Sequence, residues 1–123
     1  MLYKTYEYIL AFDFETSGLS PYNDRIIEIG AILLKREDSL FKVEKELNCL
    51  IKQSTTLPSK IVEITGITDE LLNAEGISES EAFHRLLEIY KKDALLVAYN
   101  LSFDYAFLVE LFRRHYNDNT LFI

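Results

Sequence analysis

Two carboxylates stand two residues apart in Ile9-Leu10-Ala11-Phe12-Asp13-Phe14-Glu15-Thr16-Ser17-Gly18-Leu19, an apolar run that ends in a turn. In an extended strand such residues project to one side, so Asp13 and Glu15 form a pair while Phe12 and Phe14 fill the other face. Like charges this close in a partly dry setting repel, and an unpaired buried carboxylate either costs several kcal/mol or gives up its charge. A divalent cation removes that penalty. Oxygen-only ligands favour Mg²⁺ or Mn²⁺ over zinc, and Mg²⁺ takes one or two protein carboxylates and keeps waters for substrate phosphate. The same spacing is also what a strand running into a Thr-Ser-Gly turn would show. A third acid, Asp104, opens a helical pattern in which it shares a face with Leu108 and Leu111, so it looks towards the core at the end of a preceding strand. Taken alone, Asp104 also reads as an ordinary first-turn acid on a helix dipole.

A sheet must carry the first two acids. The Ile9–Phe14 run is apolar on both faces, the pattern of a central strand covered on both sides. Turn formers Ser20-Pro21-Tyr22-Asn23-Asp24 end it, and the β-branched run Ile26–Leu34 predicts a second interior strand, closed by a polar turn over Lys35–Ser39. Glu28 sits in that run amid isoleucines and is expected to pair with Arg25. From Phe41 to Lys52, Phe41, Val43, Leu47, Cys49 and Ile51 alternate with polar residues, Lys45 and Leu50 excepted, which predicts a strand with one wet face. Short turns between the three strands imply an antiparallel meander.

Helices follow. Pro58 suits the first turn of a short helix through Ile61, Val62 and Ile64 that stops at Gly66. Thr68 caps the next one, Gly76 breaks it, and Ser78-x-x-Glu81 forms a capping box before the stripe Ala82, Phe83, Leu86, Leu87 and Tyr90. His84 lies beside that stripe, at the surface. The apolar Ala94–Tyr99 reads as a parallel strand returning to the sheet, and Asn100 or Ser102 caps the helix through Phe103, Asp104, Phe107, Leu108, Leu111 and Phe112. Arg113-Arg114-His115 suits that helix's C-terminal end electrostatically.

Composition bounds the rest. With 123 residues and 49% hydrophobic content, the chain makes one modest domain with a real core. A net charge of −7 argues against gripping long nucleic acid over a broad basic face, yet leaves room for an enzyme that holds a few nucleotides at a chain end. No apolar segment approaches transmembrane length and the N-terminus lacks a signal peptide's layout, so a soluble cytoplasmic protein with no membrane partner is expected. The single Cys49, between Leu47 and Ile51, reads as a buried apolar thiol.

In order and context, the chain resembles the DEDD (DnaQ-like) 3′-5′ exonucleases, and among them the proofreading subunits and domains of bacterial DNA polymerase III. The matching text is Phe12-Asp13-Phe14-Glu15-Thr16-Ser17-Gly18-Leu19, then Ile26-Ile27-Glu28-Ile29-Gly30-Ala31, then Ile64-Thr65-Gly66-Ile67-Thr68 with Leu71, then Ala98-Tyr99-Asn100-Leu101-Ser102-Phe103-Asp104. The resemblance implies an α/β, ribonuclease-H-like mixed sheet of three antiparallel strands then a parallel strand, with flanking helices. It also implies removal of nucleotides from a single-stranded or frayed 3′ end, DNA before RNA, with two Mg²⁺ or Mn²⁺ ions. In the family's scheme the Asp13 position bridges both ions, the Glu15 position helps hold the one that activates water, and the Asp104 position ligates the second. The residues lining the terminal nucleotide fall on Thr16, Leu19, Ile61, Thr65 and Phe103.

The departure is at the end. Relatives carry a further strand and a helix with a third motif, a catalytic His or Tyr and a fourth acid, and residues 1–123 stop at Thr120-Leu121-Phe122-Ile123, about where that strand would begin. Neither His84 nor His115 carries the role over. The expectation is an exonuclease domain that is C-terminally incomplete: a truncated form, one completed by a second copy or another chain, or a remnant that binds a partner without catalysis. The uncovered sheet face would offer a surface for self-association, and a DNA polymerase subunit is a further expected partner.

Overall fold

The computed structural model describes residues 6–115. Four strands, β1 (Tyr8–Thr16), β2 (Ile26–Glu37), β3 (Leu40–Leu50) and β4 (Leu95–Val97), form one mixed sheet in the order β3-β2-β1-β4. β1 pairs antiparallel with β2 and parallel with β4, and β2 pairs antiparallel with β3. Four helices, α1 (Ser59–Thr65), α2 (Asp69–Glu75), α3 (Glu79–Ile89) and α4 (Leu101–His115), complete the order, with β4 between α3 and α4. This is the mixed sheet with helices expected from the sequence.

The alternation of β1 decides which face is covered. Leu10, Phe12 and Phe14 are buried, pair in register with Leu33, Ala31 and Ile29 of β2, and meet Ala82, Phe83 and Leu86 of α3 and Phe107, Leu108, Leu111 and Phe112 of α4 in one cluster. Each fully buried Phe contributes roughly 2 kcal/mol of apolar burial. A smaller cluster joins Ile27 to Leu57, Ile67 and Leu72, so the α1–α2 segment packs at the start of β2. Its caps are local: the Thr68 side chain accepts from the Leu71 N–H, and Gly66 ends α1 at φ 74°, a left-handed conformation that glycine adopts without strain.

Several expectations are corrected. β1 is central, but among the described residues it is covered on one face only: Ile9 and Ala11 are half-buried and Asp13 is exposed, while Ile32 of β2 and Val97 of β4 are 38% and 43% exposed. The expected turn over Lys35–Ser39 is mostly strand, because β2 runs to Glu37 and β3 starts at Leu40, leaving a two-residue turn with Asp38 at φ 59°. The single wet face of β3 fails too. Leu34 pairs with Val43 and Leu33 with Lys45, so Glu44 is an extra, bulged residue and the alternation changes phase there. Val43 therefore lies with Leu34 on the uncovered face, 57% exposed, whereas Lys45 turns to the helix side and its Nζ donates to the Glu88 carbonyl. The returning strand is only Leu95–Val97, shorter than Ala94–Tyr99, and the Asn100 carbonyl rather than Ser102 receives the first bonds of α4. The expected strand start near Thr120 lies outside the described residues.

Candidate active site

β4 ends where the acids begin. Its last partner on β1 is Ala11, so beyond that point β1 has no neighbouring strand on this side among the described residues. A buried backbone N–H left without a partner is costly, and a side chain fills the role here: Asp104 Oδ1 accepts the Phe14 N–H at 3.3 Å. Asp104 is 4% exposed, in the first turn of α4 on the face it shares with the buried Leu108 and Leu111. The structure thus brings it to the segment between Asp13 and Glu15.

The electrostatics record that convergence. Burial holds the Asp104 carboxyl above the usual range; the Phe14 N–H opposes this and the charge of Asp13 adds to it. Glu15, partly buried, is also pushed up, by burial first and then by Asp13, Glu28 and Asp104. Glu28 is the acid whose place the sequence reading missed. It stands directly opposite Glu15 in the β1–β2 ladder, and the partner expected for it, Arg25, reaches Glu79 instead at 3.8 Å. Ladder register was the signal, since aligning Asp13 with Gly30 sets Glu15 against Glu28. No ion pair among the described residues reaches Asp13, Glu15, Glu28 or Asp104.

The loop after Glu15 is tied to itself. Thr16, 8% exposed, donates its Oγ1 hydrogen to the Gly18 carbonyl at 2.7 Å. The Asp24 carboxylate accepts from Ser17 Oγ at 3.3 Å and from the Ser20 N–H at 3.0 Å, lying against Gly18 where a Cβ would overlap it. Leu19 stands out from this loop, 84% exposed.

The other expected pocket residues have contacts of their own. Thr65 spends its hydroxyl on α1's end, donating to the Ile61 carbonyl at 2.8 Å and accepting from the Ile67 N–H at 3.1 Å. Ile61, half-buried, packs on the cluster around Ile27, next to Glu28. Phe103, also half-buried, packs on the main core with its ring 5.0 Å from that of Phe107. Of the two histidines, His84 is exposed and bonds the Ser80 carbonyl, and His115 meets Glu79. Cys49 is buried as expected, its thiol pKa raised by burial.

Beside Asp13 lies an open groove of about 720 Å³ on the uncovered sheet face, lined by Gly30, Ile32, Asn48, Val97 and the fully exposed Tyr99. Tyr99 lies just past β4 in the apolar run expected to be strand, and Asn48 on the polar side of the β3 alternation, so neither carries a signal of this groove in the sequence.

The donor chemistry suits a hard divalent ion, because the converging groups are all carboxylates and two of them are destabilised in their charged form. Among the described residues, however, no three His, Cys, Asp or Glu side chains form a ready-made metal-ligand group. Asp104 is turned to the Phe14 N–H rather than to a shared ion position.

Comparison with known proteins shows the family and the fold. The chain is 43% identical over 101 residues to the PolC-type DNA polymerase III of Thermotoga maritima and 33% identical over 104 residues to that of Pediococcus pentosaceus. These matches cover 80% and 85% of the chain but 7% of each relative, so the chain spans a small fraction of the length of the curated relatives it matches. Its fold superposes on that of Escherichia coli exonuclease I in complex with a dA16 oligonucleotide with a TM-score of 0.78 and 27% identity, covering 91% of this chain and 25% of that one. Residues 10–121 match the family model described as RNase_T, exonuclease, and the chain belongs to that exonuclease family.

Proposed function

We propose that this chain removes nucleotides from the 3′ end of a single-stranded or frayed nucleic acid, DNA before RNA, in a reaction supported by two divalent ions. The observation that carries the reading is the seating of buried Asp104 on the Phe14 N–H, which draws an acid from a distant helix into the strand segment flanked by Asp13 and Glu15. Asp13, Glu15 and Asp104 would hold the ions, with Mg²⁺ or Mn²⁺ supplying Lewis acidity to the attacking and leaving oxygens. The protein's own part is to hold these carboxylates near one another where burial and mutual repulsion raise the pKa of Glu15 and Asp104, so that a bound cation is what would favour their charged forms.

For the substrate, Leu19 would wedge against a terminal base, a role its exposure supports, and Thr16 with the turn backbone would meet the 3′-hydroxyl. Ile61, Thr65 and Phe103 complete the lining in this reading. A polymerase III polypeptide as partner is supported by the PolC-type relatives, and a cytoplasmic setting accords with it. Among the described residues no helix is long and apolar enough to cross a membrane.

A 5′-labelled single-stranded DNA oligonucleotide incubated with the chain and Mn²⁺ tests this. Stepwise shortening from the 3′ end, lost in Asp13→Ala and in Asp104→Ala, is the expected result. No shortening by the folded chain with Mn²⁺ present would sink it. A matched RNA oligonucleotide separates the deoxyribonuclease reading from the ribonuclease one.

A second reading is a nuclease-like module that docks on a partner without catalysis. One observation favours it: both histidines of the chain are engaged away from the acids, so no imidazole stands ready as a general base. Mn²⁺ binding that Asp13→Ala leaves unchanged would favour this module over the enzyme.

A further inference from the structure

We propose that Glu79 is a positioning residue for the acid site, fixing the loop that follows Glu15 and the helix that carries Asp104 to one another. Its activity arm rests on the exonuclease reading above.

One carboxylate gathers cations from both elements. Arg114 donates Nε to Glu79 Oε1 and Nη2 to Oε2, both at 3.0 Å, and His115 Nε2 lies 2.6 Å from Oε1. These two residues end α4. From the other side, Arg25 Nε approaches Oε2 at 3.8 Å. Arg25 is the residue that closes the loop after Glu15: its N–H donates to Ser17 Oγ, its carbonyl accepts the Ser17 N–H, and its Nη1 donates to the carbonyls of Tyr22 and Asp24. The His115 ring stacks on Phe83 at 5.4 Å, which fixes the plane from which it addresses Glu79.

Such a cluster differs from a surface ion pair, which contributes little. The Glu79 side chain is 21% exposed, and its Arg114 partner approaches in the two-pronged geometry that fixes direction as well as distance. Burial alone would raise the Glu79 pKa, but the bonds and charges of Arg114 and His115 outweigh it and keep the group ionised.

The leverage is geometric. Asp104 lies ten residues before Arg114 on one helix, about 15 Å along its axis, and Ser17 lies two residues after Glu15. Holding Arg114 and Arg25 on one carboxylate sets the helix end against the loop base, and with them the approach of Asp104 to β1. Misplacement by about 1 Å costs a reaction on the order of 10²-fold. An acid at the start of α3 that acted only on the helix dipole would stabilise α3 and leave the Phe14–Asp104 bond alone.

Amide exchange reads that difference without any reaction. In the full chain carrying Glu79→Gln, the Phe14 N–H is expected to exchange about tenfold faster or more, while Leu86 and Leu111 keep their protection. On DNA with Mn²⁺, kcat should fall roughly tenfold to a hundredfold with KM within about twofold, well below the melting temperature. Unchanged Phe14 exchange, or acceleration spread evenly over α3 and α4, would overturn the proposal. If Glu79→Gln does not fold, Arg25→Gln, at a more exposed position, is expected to speed exchange at Phe14 and Ser17, and no change there would equally overturn it. A wild-type chain that does not hydrolyse DNA fails the exonuclease reading, whereas Glu79 is judged on Phe14 exchange.

Discussion

In the native state the charged forms of Glu15 and Asp104 are disfavoured relative to the unfolded chain. Each binds its proton more tightly in the folded chain than at its ordinary value, 4.5 for Glu15 and 3.8 for Asp104. Between the unfolded and folded pKa the native state carries more protons than the unfolded chain, so stability falls as pH rises through the folded pKa and returns on acidification. Glu79 works in the opposite sense. Held below its ordinary 4.5, it stabilises the fold above that value and the benefit is lost as pH drops through its folded pKa. The melting temperature should therefore rise as pH falls through the folded pKa of Glu15 and Asp104, pass through a maximum near the ordinary carboxylate range, and fall below it. Calorimetry at several pH values in chelator tests this, and a monotonic fall from pH 7 downwards would contradict it. Glu15→Gln removes the repulsion and should raise the melting temperature at pH 7 by about 2 °C, while hydrolysis drops on the order of 10²-fold or more. Saturating Mn²⁺ should stabilise the wild type and do so far less in the Gln variant.

The loop between β1 and β2 holds its shape through the Asp24 carboxylate, and Gly18 leaves the space that carboxylate occupies. Gly18→Ala forces Asp24 outward and breaks its bonds to Ser17 and Ser20, a loss of about 1–2 kcal/mol. The urea midpoint should drop with an unchanged slope, and Asp24→Ala should cost about as much. If the double variant loses the sum of the two single losses, the two residues are not coupled and this account of the loop fails. Such elements were legible in the sequence to different depths. Alternation in β1, the capping residues Thr68 and Ser78 and the helical stripe of α3 are local patterns, and the fold kept them. What misled was pairing. Lys45 broke the β3 alternation because of a bulge against Leu33 and Leu34, and a one-residue insertion cannot be told from noise before the partner strand is known. Glu28 was expected to pair with Arg25 for the same reason, since its neighbour across the ladder is Glu15. Asp13, Glu15 and Asp104 each left two readings open on local pattern and were grouped only through the family resemblance, and the turn of Asp104 to the Phe14 N–H depends on where β4 stops, which its apolar run did not reveal.

At the scale of the molecule, the sheet carries all its described helices to one face or to the start of β2, and the other face keeps Ala11, Ile32 and Val97 beside the Asp13 groove. Contiguous apolar surface of this kind favours association. Opposing it is a net charge of −7, which places like-charged copies against one another and acts over a Debye length of about 10 Å at 0.1 M salt. The two forces respond to salt in opposite ways. Screening weakens the repulsion, and added salt leaves burial of Ile32 and Val97 undiminished or strengthens it. Self-association should therefore rise with ionic strength, the reverse of what a basic nucleic-acid-binding surface would show towards its ligand. Light scattering at fixed protein concentration should give a monomer mass in low salt and a growing average mass towards about 1 M NaCl, where the Debye length shrinks to about 3 Å. Ile32→Lys and Val97→Lys place charge in the middle of the face and should hold the monomer at every salt concentration, while Lys42→Glu, on the exposed end of β3, should not. A mass that stays monomeric throughout in the wild type would show that the open face is too small or too well hydrated to pair. Association unaffected by Ile32→Lys would place the contact elsewhere on the surface.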